Sequence, residues 1–326
     1  MDPIVKKCFN SLEPGEIQAF RNMAVIPLFS PLDDSPEYLT LKEALEKNVL
    51  KITEISRSGS VPELKVSNAS EVGVLLLDGE ELVGAKQNRV LNTTILLREK
   101  SDTVIPVSCT EQGRWSYVSE KFRDSGTVMT PKLRATKART VATSLEESHQ
   151  YRSDQGTVWE TIHNLSAEAN VDSRTAAMRD VFEAKKKELD AYLSAFQRQP
   201  EQKGLLVYLN GEVAGFDFLS LGVAYGVVHE KLVKSYSMDA LLEKPGNETA
   251  PDPAKARAFL DEAQTCSEKK YESVGKGEDY RFEGSLMVGS GLVANGKVIH
   301  LAFFRITESE KAGPMAGLKR RKGFRL

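Results

Sequence analysis

Short apolar runs alternate with longer amphipathic stretches along this chain. Residues 23–29 are apolar and bounded by Pro27 and Pro31, which predicts a strand at a sheet edge. Residues 39–47 have a helical period, with Thr40 as a cap and Leu41, Ala44 and Leu45 on one face. Residues 49–55 return to strand. Three apolar runs end in turn dipeptides that favour positive φ: Asp78-Gly79, Asn210-Gly211 and Asn295-Gly296. Each predicts a hairpin. The first two share flanking sequence, an internal duplication or, as the preferred reading, convergence of hairpins on similar residues.

Between the hairpins the period changes to that of a helix. Residues 154–169 carry Val158, Ile162, Leu165 and Ala169 on one stripe. Residues 175–197 carry Met178, Val181, Phe182, Leu189, Tyr192 and Phe196, with Pro200 closing the run. Residues 224–242 and 253–265 are further helices, separated by the breakers of 245–253. Early strands, central helices and late strands predict an α+β fold, a mainly antiparallel sheet with helices packed on one side. One α+β domain is expected over 1–306. It is strand-rich over 20–122, a flexible basic segment over 123–152, helical over 153–200 and mixed over 204–306. A disordered basic tail is expected over 307–326.

Composition adds limits. The chain has 326 residues, 40% hydrophobic and 28% charged, so it can bury a core and is no disordered polymer. A net charge of −2 gives no field favouring nucleic acid, the basic tail aside. Cys8, Cys109 and Cys266 are odd in number and widely spaced, which points to a reducing compartment. No apolar signal core or membrane-length run is present, so a cytoplasmic protein without membrane contact is expected.

The candidate chemistry lies between Gly79 and Trp115. Lys86, Gln87, Asn88, Arg89 and Asn92 interrupt strand-like sequence, and a broken local rule marks a site. On a strand, Gln87 and Arg89 would share one face and Lys86, Asn88 and Asn92 the other. Arg offers a planar fork for phosphate or carboxylate, and the amides read polar edges. The competing reading is a buried network that fixes register. Glu80 and Glu81 follow a turn and are either a paired acid/base or a solvated turn. Residues 105–109 are a short strand placed near an edge by Pro106. Cys109 reads as a buried thiol; a phosphatase-like loop with Arg114 would need one more intervening residue. Glu111, Gln112, Arg114 and Trp115 form a turn, with Glu111 a possible base and Trp115 a stacking surface or core. His300, alone among apolar neighbours, reads as a satisfied core residue. No His or Cys spacing indicates a metal, and no phosphate-loop or dinucleotide motif indicates a cofactor: Gly289-Ser290-Gly291 runs into a strand, not a helix.

The run from Gly79 to Thr93 resembles the signature of the ARG and rhodanese-phosphatase-superfamily-associated protein domain. Ile105 to Cys109 with Glu111 to Trp115 is a second match, and Gln155 to Trp159 a weaker third. The resemblance implies a context of ADP-ribose or other phosphorylated-ligand metabolism, without a settled reaction. The expectation is a small phosphorylated ligand, with Arg89 and Arg114 on the anion. Lys86, Gln87, Asn88, Asn92, Gln112 and Trp115 would give recognition, and Glu80 or Glu111 any proton transfer. The alternative is a non-catalytic regulatory or interaction domain in which these motifs are structural.

Overall fold

The computed structural model describes residues 1–32, 36–244 and 250–311. Helix α1 (Pro3–Asn10) leads into strands β1 (Glu13–Pro14), β2 (Gln18–Phe20), β3 (Met23–Phe29) and β4 (Tyr38–Thr40), then helix α2 (Leu41–Glu46). A run of strands follows: β5 (Leu50–Glu54), β6 (Glu63–Asn68), β7 (Gly73–Leu76), β8 (Glu80–Gly84), β9 (Arg89–Leu91), β10 (Ile95–Leu97), β11 (Ser101–Cys109) and β12 (Phe122–Val128). Helices α3 (Pro131–Ser148), α4 (Gln155–Glu168), α5 (Met178–Ala184) and α6 (Lys186–Ala195) form the central block. Strands β13 (Gly204–Leu209) and β14 (Glu212–Leu219) precede helices α7 (Gly222–Leu242) and α8 (Pro253–Ala263). Strands β15 (Ser267–Glu272), β16 (Glu278–Glu283), β17 (Met287–Ala294) and β18 (Lys297–Arg305) and the short α9 (Glu308–Lys311) complete the described chain.

The fold is α+β, with mostly antiparallel sheets. The largest runs β1-β3-β13-β14-β18-β17-β16-β15, with β2 also on β3. A six-stranded sheet runs β12-β8-β9-β11-β6-β5, and a three-stranded one β10-β7-β4, whose β4–β7 pair is parallel. Strand β13 is apolar throughout because both its faces are buried. Leu205 and Val207 join the core under α3, α6 and α7, while Leu206 and Tyr208 join the core under α1 and α8. Helices α3, α6 and α7 therefore cover one face of this sheet and α1 and α8 the other, while α4 and α5 pack with Val90, Met129, Leu133 and Met238 in a separate core.

Two of the three turn signals make hairpins, β13–β14 and β17–β18, with Asn210 and Asn295 at positive φ. Asp78-Gly79 does not. Strand β7 pairs with β10 and β4, whereas β8 pairs with β9 and β12, so this turn carries the chain from one sheet to another. Its difference from the other two is that Asp78 is buried and held by Arg134 and Lys137. The duplication suggested by the shared flanks thus has no structural counterpart there.

Of the prolines predicted to mark edges, Pro27 and Pro106 lie inside sheets and Pro31 follows β3. Pro27 is in β3, paired with β13 on one side. Its carbonyl accepts from Gly15 on the other, so the missing N–H faces the gap between β1 and β2. Pro106 sits where β11 passes from β6 to β9. The predicted helix over 175–197 is split at Lys185 into α5 and α6, across a segment without apolar residues.

The segment expected to be loose over 123–152 is instead mostly β12 and α3. Its weak apolar period has a physical cause: the buried side of α3 includes Arg134 and Lys137, which pair with carboxylates. At the start of the predicted tail, α9 receives hydrogen bonds from Arg139 on α3 to the carbonyls of Glu310 and Lys311. The basic cluster beyond Lys311 lies outside the described residues, as does the 245–249 part of the breaker run.

Candidate functional site

Lys86, Gln87 and Asn88 lie in the turn joining β8 to β9, not on a strand. Gln87 donates to the Glu111 carbonyl, and Asn88 Oδ1 accepts from Arg114 at 3.1 Å. Arg114 also holds Glu111 Oε2 through Nη2 at 2.6 Å and Nε at 2.9 Å. Asn92 donates to the Tyr151 carbonyl and accepts from Ser108, at 2.9 and 2.7 Å. These amides are thus engaged by the chain itself. Gln112 sits on the exposed turn, apart from them. Gln155 explains the third motif: its amide both accepts from the Cys109 N–H and donates to the Cys109 carbonyl. Cys109 is buried, and burial pushes its thiol up to about 11, the inert state expected.

Arg89 differs from the rest. Its Nη1 donates to the Gln87 carbonyl at 3.0 Å and to Gln87 Oε1 at 3.1 Å. Its Nε and Nη2 are fully buried without a hydrogen-bond acceptor among the described residues. Glu54 stands 3.8 Å from Nη2, and Glu54 Oε2 also lacks a partner. Trp115, 48% exposed, lies over the guanidinium at 5.6 Å. The Lys86 ammonium is held 5.2 Å from each of the Trp115 and Tyr117 rings and donates to the Ser58 carbonyl. Gly59, at φ 78°, passes so close that a Cβ there would meet Lys86 at 3.1 Å and Trp115 at 3.3 Å. The arrangement is two exposed aromatic rings flanking a cation, with one of the rings, Trp115, over a buried guanidinium with unmet donors.

The two glutamates of β8 lie elsewhere. Glu80 Oε1 accepts from Lys231 of α7 at 2.6 Å, Oε2 accepts from the Leu77 N–H, and Lys231 also pairs with Asp124 at 2.7 Å. Burial raises the Glu80 carboxyl, with Lys231 pulling it back. Glu81 points to the opposite face of β8. Thr110 donates to Oε1 at 2.7 Å, while Oε2 is buried without a hydrogen-bond partner. Burial pushes Glu81 up to about 7, and Thr110 and Ser125 offset part of that rise. Asp124, Ser125 and Lys231 line an open cleft of about 1360 Å³ between α2, β12, α5–α6 and α7. Residues 11–304 match the family described as the ARG and Rhodanese-Phosphatase-superfamily-associated Protein domain, ARPP-1.

The chain belongs to the ARPP-1 family. No curated protein and no solved structure matches it. Within this ARPP-1 domain lies a buried polar cluster that sequence reasoning did not single out. Arg134 binds Asp217 with two prongs, at 2.7 and 3.0 Å, and reaches Asp78 at 3.4 Å. Lys137 binds Asp78 and the Leu91 carbonyl. His300 bridges Thr94 and Asp217, a satisfied core histidine as expected, and Tyr236 donates to Asp217. Arg281, Asp279 and Thr93 form a second buried group, bonded to one another. Every member of the first cluster is buried, so it joins α3 to the sheets instead of opening to a ligand. Its only sequence signal is two basic residues three apart in a helix of weak apolar period. Among the described residues no cluster of His, Cys, Asp or Glu is placed to hold a metal, and no helix is long and apolar enough to cross a membrane.

Proposed function

We propose that this ARPP-1 domain binds a small phosphorylated, nucleotide-like ligand of the ADP-ribose or NAD type where Trp115, Tyr117 and Lys86 cover Arg89. The observation that carries the reading is the buried Arg89 guanidinium whose Nε and Nη2 lack hydrogen-bond acceptors among the described residues, with Glu54 3.8 Å from Nη2. Leaving buried donors unmet costs about 1–3 kcal/mol each, more for a charged group. A phosphate oxygen would supply the missing acceptors in the planar geometry Arg favours. A base or nicotinamide ring would stack on Trp115 or Tyr117 in place of the Lys86 ammonium, freeing that cation for the ligand. Trp115 has to swing aside, which its half-exposed position permits. Glu111 and Arg114 hold the turn beneath the rings, and Gln87 orients Arg89.

The second reading, a non-catalytic regulatory or interaction domain, is favoured by one observation: the Gln87, Asn88 and Asn92 amides are engaged by the chain. A thermal-shift panel of ADP-ribose, NAD and sugar phosphates separates the two. A tight ligand raises the melting temperature by mass action, and Arg89→Lys, which keeps charge but loses the fork, abolishes the shift. No shift from any compound leaves the second reading.

A further inference from the structure

The bulge in β12 lies directly opposite Glu81. Asp124 pairs with Leu82 and Val128 with Glu80, so Ser125, Gly126 and Thr127 all face the single residue between. Bulges re-aim side chains and recur beside active sites. Here the bulge sets Ser125 between the sealed Glu81 carboxyl and the open cleft, of which Ser125 and Gly126 form part of the wall. Glu81 Oε2 is fully buried with no hydrogen-bond partner among the described residues. Asp124 shares Lys231 with Glu80 and so lies on the Glu80 face, and the alternation of β12 turns Ser125, the next residue, to the Glu81 face, where it offsets part of the rise in that carboxyl. On its other side Ser125 Oγ accepts the Thr127 N–H at 3.0 Å, a donor that would stabilise negative charge on the oxygen. Gly126 has φ 77° and a Cβ there would meet nothing within 4 Å, so the approach to Ser125 is open. The cleft walls bring cations from each element: Lys42 from α2, Arg123 from β12, Arg179 from α5 and Lys231 from α7. Arg179 is paired with Glu183, Lys231 is buried and shared by Glu80 and Asp124, and other carboxylates lie among them.

We propose that this cleft is a second site, independent of the Trp115 face, in which Ser125 is a nucleophile toward a phosphate ester and Glu81 is its general base. Ser125 Oγ forms a bond to phosphorus as the bond from phosphorus to the ester oxygen breaks. The hydroxyl proton passes to Glu81, and the departing alkoxide takes a proton from the water of the open cleft. Lys42, Arg123 and Arg179 on the cleft wall hold the non-bridging oxygens. Glu81 is a base of the right strength at neutral pH, since burial sets it near 7. The groups facing it are Thr110, Ser125, the Arg179 cation and, more distantly, Glu111.

The test is labelling of the full chain with a fluorophosphonate, read by peptide mass mapping and fluoride release. The Oγ–P bond forms, the P–F bond breaks and fluoride leaves with the electron pair. The proposal expects one adduct, on Ser125, with one fluoride per chain. The labelling rate should rise through a midpoint near pH 7 and fall at least tenfold in Glu81→Gln, and Ser125→Ala should take up no label. Absence of label, label on another residue, or a rate in Glu81→Gln equal to that of the parent overturns it. Should Glu81→Gln fail to fold, the pH–rate midpoint of the parent chain and the Ser125→Ala result decide.

Discussion

Arg134 and Asp217 form a two-pronged ion pair with no solvent contact, at 2.7 and 3.0 Å, between helix α3 and strand β14. Removing one partner strands the other in the interior, which costs about 3–5 kcal/mol. Arg134→Ala is expected to lose stability on that scale in urea unfolding. Arg257 and Asp261 pair 3.6 Å apart on the surface, both largely exposed. Arg257→Ala should cost less than about 1 kcal/mol. Equal losses in the two variants would contradict the ranking.

The same network sets the acid limb of stability. Burial alone would raise Asp217, but Arg134 and His300 more than offset it and hold it well below the usual carboxylate range. Such a group contributes stability that is complete above its unfolded value, near pH 4, and is lost as pH falls through its folded value. The expected result is a denaturation midpoint that falls steeply below about pH 4, and a shallower fall in Asp217→Asn.

Glu81 and Asp239 act in the opposite sense. Burial pushes both up to about 7, so between their unfolded values and pH 7 the folded state holds protons that the unfolded chain has released. Stability should therefore decline as pH rises from about 4.5 to 7, each group contributing on the order of 3 kcal/mol. Glu81→Gln and Asp239→Asn should flatten that slope and stabilise the protein at pH 8. Unfolding free energies at pH 5 and pH 8 test this; unchanged slopes in both variants would show that neither carboxyl is neutral in the folded protein.

Lys231 is the cation shared by Glu80 and Asp124. Lys231→Met should cost about 3–5 kcal/mol by leaving Glu80 buried alone. Adding Glu80→Gln should recover part of the loss, a coupling that double-mutant cycles measure. Strict additivity would contradict a direct partnership.

The fold was legible where one signal dominated locally. The capping box of Thr40 and Glu43 starts α2, and Asn210-Gly211 and Asn295-Gly296 close hairpins, because caps and primed turns depend on adjacent residues. It was illegible where distant residues decide. Asp78-Gly79 has hairpin chemistry, but Arg134 and Lys137, more than fifty residues on, draw its carboxylate into the core. Helix α3 hid because those two buried cations erase its apolar stripe. Of the site, the unusual polar run at 86–92 was visible as a broken strand pattern. Which of its donors are left unmet is a matter of three-dimensional accounting: Gln87 and Asn92 find carbonyls at 111 and 151, and Arg89 Nε and Nη2 find no hydrogen-bond acceptor among the described residues. Ser125 left no trace in the sequence, since its place opposite Glu81 depends on a bulge in register.

The most direct measurement is ligand titration followed by Trp115 fluorescence in a Trp159→Phe background, which leaves Trp115 as the sole tryptophan. ADP-ribose, NAD and sugar phosphates are titrated into this protein and into its Arg89→Lys form. A saturable change in Trp115 emission with one of them, weakened at least tenfold by Arg89→Lys, is the predicted result. Emission that stays constant with every compound, or a binding curve identical in the two forms, would contradict a ligand seated on Arg89.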